Sequence, residues 1–249
     1  MASRLVVQPA ALEWLLGERP ASVLVIGAAG GYPALFSSSG HEVTVVDRSF
    51  DRIAPLANTG SRFHGIVARG EALPFDPCCF DFVAAVQNFH TFAPGLALSE
   101  WARVLKPGGR IGLAYFVRDD SVPWVKKLAR VIQTRLPDAM RGDYGDAALK
   151  HLDDSPFFPQ AEERRFRLWV PCSRAALQAQ TANAVGASRL KATDLEALSQ
   201  DVGRLYDQYA RSPEPLQLPY ALVCRRAVVD HTELTAALVP DQAGLRIVL

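Results

Sequence analysis

The sequence predicts an α/β fold: a doubly wound, mostly parallel sheet of Rossmann-like type, with a helical and loop cap inserted after the fifth strand. Three observations carry that expectation. Short apolar runs alternate with helical segments through residues 1–116, the rhythm of strands buried on both faces and joined by crossover helices. The first run closes on a glycine-rich turn and the second ends in an acid. Beyond residue 117 the rhythm is lost, so the boundaries are expected near 1–117 for a ligand-binding core, 118–210 for the cap and 211–249 for a final strand plus tail.

SVLVIG (22–27) is nearly all apolar and ends on Gly27, which suits a central parallel strand. GAAGG (27–31) turns the chain into YPALFSSSG, a short helix stopping near Gly40. EVTVVD (42–47) is a β-branched strand, and HGIVA (64–68) and FDFVAAVQ (80–87) repeat the type. LALSEWARVL reads as a helix, stopped by KPGG before the strand RIGLAYF (110–116).

In the cap, WVKKLARVIQTRL (124–136) places Val125, Leu128, Val131, Ile132 and Leu136 on one helical stripe, with Lys126, Lys127 and Arg130 opposite. Residues 138–160 are rich in Asp, Pro and Gly and read as a loop or lid. RRFRLWVP (164–171) and LPYALVCRRAV (218–228) have strand character. ATDLEALSQDVGRLYDQYA reads as a helix with Thr193 at its N-cap and Glu196 three residues on.

Composition excludes several classes. The 249 residues are 49% hydrophobic and 21% charged, which argues against disorder. Lys and Arg total 27 against 26 acids, so no general basic field points to nucleic acid. No charge-free apolar run reaches the length of a membrane span, and Glu13 interrupts the apolar stretch at the amino end. The four cysteines, Cys78, Cys79, Cys172 and Cys224, lack CxxC spacing and suit reduced thiols. No metal site, nucleic-acid partner or membrane partner is expected, and the expected location is cytoplasmic.

The chemistry concentrates where the strands end. In doubly wound folds, ligands bind beyond the carboxyl ends of the strands, and glycines in the first turn let the backbone approach them. Asp47 ends the second strand twenty residues past Gly27, where an acid accepts the hydroxyls of an adenosine ribose. A dinucleotide fingerprint aligned on Gly27 would need glycines at Ala29 and Tyr32, which tells against a nicotinamide oxidoreductase. Gln87 and Asn88 close the fourth strand at the same edge. His90 comes next as a candidate catalytic residue, a substrate contact or general base. Trp124 suits either a pocket wall or the core.

Taken in order, VLVIGAAGG, HEVTVVD, EALPFDPCCFDFVAAVQNFHTF and SEWARVLKPGGRIGLAYF resemble class I S-adenosylmethionine-dependent methyltransferases. The nearest likeness is to the small-molecule type, methyltransferase type 11 and trans-aconitate methyltransferase-like proteins. It is strong over residues 22–116. The resemblance implies S-adenosyl-L-methionine as cofactor and methyl transfer to a small-molecule substrate. It places Gly27, Ala28, Ala29 and Gly31 at the methionine and ribose, Asp47 with Arg48 at the ribose, and Arg69, Gly70 and Glu71 at the adenine. Gln87 falls at the methyl-donor end, and the acceptor is expected among His90, residues 118–124 and residues 138–160.

The chain departs from the family at three positions. Val25 stands where the family usually carries an acid that organises the methionine ammonium, Ala29 replaces the second motif glycine, and Arg69 replaces a common acid. These departures support an alternative expectation: a catalytically degenerate methyltransferase-fold protein that binds or regulates a protein partner.

Overall fold

The computed structural model describes residues 7–57, 63–140, 146–211 and 213–236. Among the described residues seven strands form one sheet: β1 (Ser22–Ile26), β2 (Glu42–Asp47), β3 (Phe63–Val67), β4 (Phe80–Val86), β5 (Leu105–Arg118), β6 (Glu162–Cys172) and β7 (Leu216–Val228). Their order is β3-β2-β1-β4-β5-β7-β6. The pairs from β3 to β5 are parallel. The last long strand reverses direction: Val229 N donates to Gly109 O and Asp119 N to Pro219 O, the pattern of an antiparallel β5–β7 pair. The sheet is therefore mixed but mostly parallel, and the regions near 164 and 218 supply its last two strands, as the sequence indicates.

The order explains where a ligand can enter. From β1 the chain steps outward to β2 and β3, then returns to β4 on the other side of β1. Crossovers on the two sides diverge at such a switch point and leave a crevice beyond the carboxyl ends of β1 and β4. β1 and β4 are buried along nearly their whole length, which is why they read as uninterrupted apolar runs.

The helices are α1 (Pro9–Leu16), α2 (Tyr32–Ser38), α3 (Phe50–Ala57), α4 (Pro94–Val104), α5 (Pro123–Gln133), α6 (Asp146–Asp153), α7 (Arg174–Ala182), α8 (Ala192–Tyr209) and α9 (Thr232–Ala236). The Lys106-Pro107-Gly108-Gly109 segment is a bulge: the β4–β5 register jumps from Phe80↔Leu105 to Phe82↔Arg110. Gly108 has φ +77°, and a Cβ on Gly109 would lie 2.8 Å from Lys106 O, so both glycines are required by geometry. Lys106 Nζ reaches Asp81 Oδ1 at 2.9 Å, while Asp81 Oδ2 accepts from Ser22 N and Oγ. Burial raises the Asp81 pKa, but the bonds from Ser22 and Lys106 outweigh it and hold the carboxyl below its ordinary range. This network ties the amino ends of β1 and β4, away from the crevice.

The chain divides into two compact units. Of the described residues, a sheet unit holds 7–114, 146–164 and 224–236, and a helical unit holds 115–140 and 165–223. This partition differs from the sequence boundaries, because residues 146–164 belong with the sheet unit. The segment 138–160 contains helix α6, which packs on α4; residues 141–145 lie outside the described residues. The expected tail 230–249 contributes α9, and residues 237–249 lie outside the described residues.

The helical unit has its own core, in which Trp124, Val125, Leu128 and Ile132 of α5 meet Leu177 of α7 and Leu198, Val202 and Leu205 of α8. Trp124 is thus a core residue, and Lys126, Lys127 and Arg130 form the exposed face of α5. The N-cap of α8 is corrected to Lys191. The N–H groups of Asp194 and Leu195 already return to the Lys191 carbonyl, so Thr193 lies inside the first turn and caps nothing.

Candidate functional site

Within the sheet unit, the carboxyl ends of β1, β2 and β4 and the segment after β3 surround a cavity of about 420 Å³, a size that suits a small organic ligand. Gly27, the residue after β1, has φ +98°, and a Cβ there would lie 2.2 Å from Asn88 Nδ2. Only glycine satisfies both demands, and its bare backbone forms part of the cavity wall.

Asp47 ends β2 and is 6% exposed. Its Oδ2 accepts from Ala28 N at 3.0 Å and its Oδ1 from Ser49 N at 2.9 Å. One carboxylate therefore fixes both turns that frame the cavity. Arg52 approaches Oδ2 at 3.6 Å from a largely exposed position.

The third wall is built by α4 acting at long range. Buried Trp101 donates Nε1–H to Gly70 O at 2.8 Å. Glu100 Oε1 accepts from Leu73 N at 2.7 Å, and Arg103 donates to the carbonyls of Phe75 and Leu73. Glu100 and Arg103 also pair with each other at 2.7 Å. The Arg103 bond, with help from Leu73 N–H, overcomes burial and holds the Glu100 carboxyl below its ordinary range. The residues 70–75 are thereby clamped from one helix face. A Cβ on Gly70 would lie 2.8 Å from the Phe92 ring, so this glycine lets Phe92 close the wall.

Beyond β4 the backbone turns sharply. Gln87 has φ +61°, an uncommon conformation for a residue with a side chain and one that marks functional edges. Gln87 N–H donates to Ala114 O at 2.9 Å, which holds the turn. Asn88 then points back to β1 and donates Nδ2–H to Ile26 O at 2.6 Å.

The cavity brings together Gly27, Ala29, Asp47, Arg48, Arg69, Gly70, Glu71 and Gln87 from the residues the sequence singles out. Ala28 and Gly31 do not line it. Ala28 is drawn off by its bond to Asp47, and Gly31 sits at φ +74° to start α2. His90 is exposed on the short 3-10 turn Phe89–Thr91 and is not among the lining residues, although its neighbour Thr91 is. Val25 is buried within β1 at 1% exposure and does not line the cavity. Arg69 is mostly exposed and lies 3.8 Å from Glu71 Oε2. Tyr32, Arg52, Asn88 and Phe92 also line the cavity. Of these only Asn88 stands out in the sequence, as an amide at a strand end.

Among the described residues no group of three or more His, Cys, Asp or Glu side chains is placed to hold a metal ion, and no helix is long and apolar enough to cross a membrane. Cys172 and Cys224 are buried while Cys78 and Cys79 are exposed; burial pushes the Cys224 thiol up to about 12.

The mostly parallel sheet, its switch-point cavity, the glycine turn after β1 and the acid ending β2 define a doubly wound α/β fold with a crevice at the carboxyl ends of its strands. Residues 24–113 match the family model described as methyltransferase domain. Over 131 residues the chain is 34% identical to an uncharacterized methyltransferase of Schizosaccharomyces pombe, which covers 50% of this chain and 52% of that protein. Over 125 residues it is 33% identical to an uncharacterized methyltransferase of Mycobacterium tuberculosis, covering 50% and 51%. The match thus spans about half the length of these curated relatives.

In fold, the chain is similar to a protein from Anaeromyxobacter dehalogenans described as a type II methyltransferase (TM-score 0.65, 20% identity, 88% of this chain and 95% of that one). It is also similar to one from Anabaena variabilis described as a methyltransferase from an antibiotic biosynthesis pathway (0.59, 20%, 86% and 94%). Residues 24–113 thus carry the match to a methyltransferase domain, and the chain is similar to methyltransferases over about half of its length.

Proposed function

We propose that the protein transfers a methyl group from S-adenosylmethionine to a small-molecule acceptor. One observation carries the reading: a single cavity joins the side-chain-free wall at Gly27, the strand-terminal carboxylate of Asp47 and the clamped Gly70–Glu71 segment. These residues fit the cofactor. After accepting from Ala28 and Ser49, each Asp47 oxygen keeps acceptor capacity, enough for two ribose hydroxyls. Gly70 and Glu71, held by α4, would flank the adenine, and the strained Gln87 turn would face the methyl-donor end.

When bound, the cofactor supplies a methyl carbon made electrophilic by its sulfonium. The protein's part in such an in-line displacement is to orient the two reactants and keep water from between them, and positioning alone contributes a large share of rate enhancement. No dedicated base is required, which accords with the exposed placement of His90 outside the cavity wall. The near balance of 27 basic and 26 acidic residues supports a small acceptor over a nucleic acid.

Buried Val25 favours a second reading, in which the site has lost its hold on the cofactor and the protein serves as a binding or regulatory module. Isothermal titration of the folded, ligand-free protein with S-adenosylmethionine and S-adenosylhomocysteine decides between them. Micromolar binding of both supports the enzyme. No heat at millimolar ligand overturns it in favour of the module.

A further inference from the structure

We infer that Asn88 supplies the acceptor for the amino group at the methionine end of the cofactor, the role left open by Val25. The inference rests on the cofactor reading above and goes beyond it to one atom. Asn88 lines the cavity directly after the strained Gln87 turn. Its bond from Nδ2 to Ile26 O, at 2.6 Å, orients the amide. A carbonyl can only accept, so nitrogen must face Ile26 and oxygen must face away from it.

That oxygen, Oδ1, is buried and has no hydrogen-bond partner among the described residues. A buried acceptor left unpaired is a standing penalty that an incoming donor removes. An ammonium offers three donors and no acceptor and complements the orphan atom, whereas a carboxylate would meet it oxygen to oxygen. Gly27 is coupled to the same arrangement, since any side chain there would collide with Asn88 Nδ2. The strand-end amide thus stands where the neighbouring strand lacks its acid.

The test measures binding, not turnover. Dissociation constants for S-adenosylhomocysteine and for its analogue with the amino group replaced by hydrogen are compared in the wild type, Asn88→Ala and Asn88→Asp. The wild type is expected to prefer the amino ligand by about tenfold or more, the size of one charge-assisted hydrogen bond. In Asn88→Ala the preference collapses to within about twofold, as expected once that bond is gone. In Asn88→Asp, which keeps an acceptor, it stays at or above the wild-type value; should the alanine variant fail to fold, this arm decides.

Equal weakening of both ligands in folded Asn88→Ala would show a strut to Ile26 and nothing more, and would overturn the inference. So would a wild type indifferent to the amino group, or an aspartate variant that has lost the preference. A folded wild type that binds neither ligand overturns the cofactor reading itself.

Discussion

The two compact units bury their polar groups differently. In the sheet unit His41, Asp47 and Ser155 are buried, whereas the helical unit buries no charged or ionisable His, Asp or Glu side chain among the described residues, and its buried Thr181 hydroxyl is spent locally on Leu177 O. The sheet unit's cavity is lined by two acids and three arginines. The helical unit has a cavity of about 230 Å³ in which Leu128, Ile132, Leu177 and Leu218 are joined by uncharged polar side chains, Gln180, Thr181, Asn183 and Tyr220, and by one arginine. Its Arg118 is tied to Asp120 and to Met140 O. The family match, residues 24–113, lies wholly inside the sheet unit. The candidate site and the family match therefore sit in one region, while the other is organised around an apolar core.

That contrast makes stability and recognition separable by mutation. The largest effect is expected from Leu198→Ala, which deletes a fully buried side chain of the helical core. It should lower the unfolding free energy by about 2–5 kcal/mol in chemical denaturation. Binding of S-adenosylhomocysteine by the folded variant should stay within about twofold, the scatter expected of sites with no shared partners. A large loss of affinity would break the division between stability and recognition.

Next in size is Asp47→Ala. It should raise the dissociation constant for S-adenosylhomocysteine at least about tenfold, because hydrogen bonds to a charged acceptor are lost. It also leaves Ala28 and Ser49 N–H without their partner, so thermal unfolding is measured alongside. A folded variant with unchanged affinity would remove the ribose assignment.

The same contrast explains what the sequence can reveal. Gly27 and Asp47 are legible because strand ends fix their place: an apolar run must stop, and in a parallel sheet the residues at its carboxyl end face the crevice. The clamp on residues 70–75 is not legible. Trp101 and Gly70, or Arg103 and Phe75, lie about thirty residues apart and meet only once α4 packs, so the helical pattern of LALSEWARVL carries no trace of them. The coupling of Asn88 to Gly27 is hidden for the same reason. In the second half, helix α6 is masked by the Asp and Pro content of its surroundings. The cap of α8 is misleading in the sequence because Thr193 and Glu196 have the right spacing but fall inside the first turn.

The smallest predicted effect is a pH dependence that originates in the sheet unit. His41 is buried between α2 and β2, with Nδ1 lacking a hydrogen-bond partner among the described residues. Burial lowers its pKa from the ordinary 6.5, because a charged imidazolium there would lose its hydration. Above 6.5 the ring is neutral in both folded and unfolded chains, and its contribution to stability is intact. Below that value the unfolded chain takes up the proton more readily than the folded one, so stability falls as pH falls. Urea titrations at pH about 7.5 and about 5.5 should show this decline, and His41→Gln should make it shallower because glutamine does not titrate. A decline of equal depth in the variant would place the pH sensitivity elsewhere in the chain, and a decline absent from both would mean that solvent reaches His41 in the folded state.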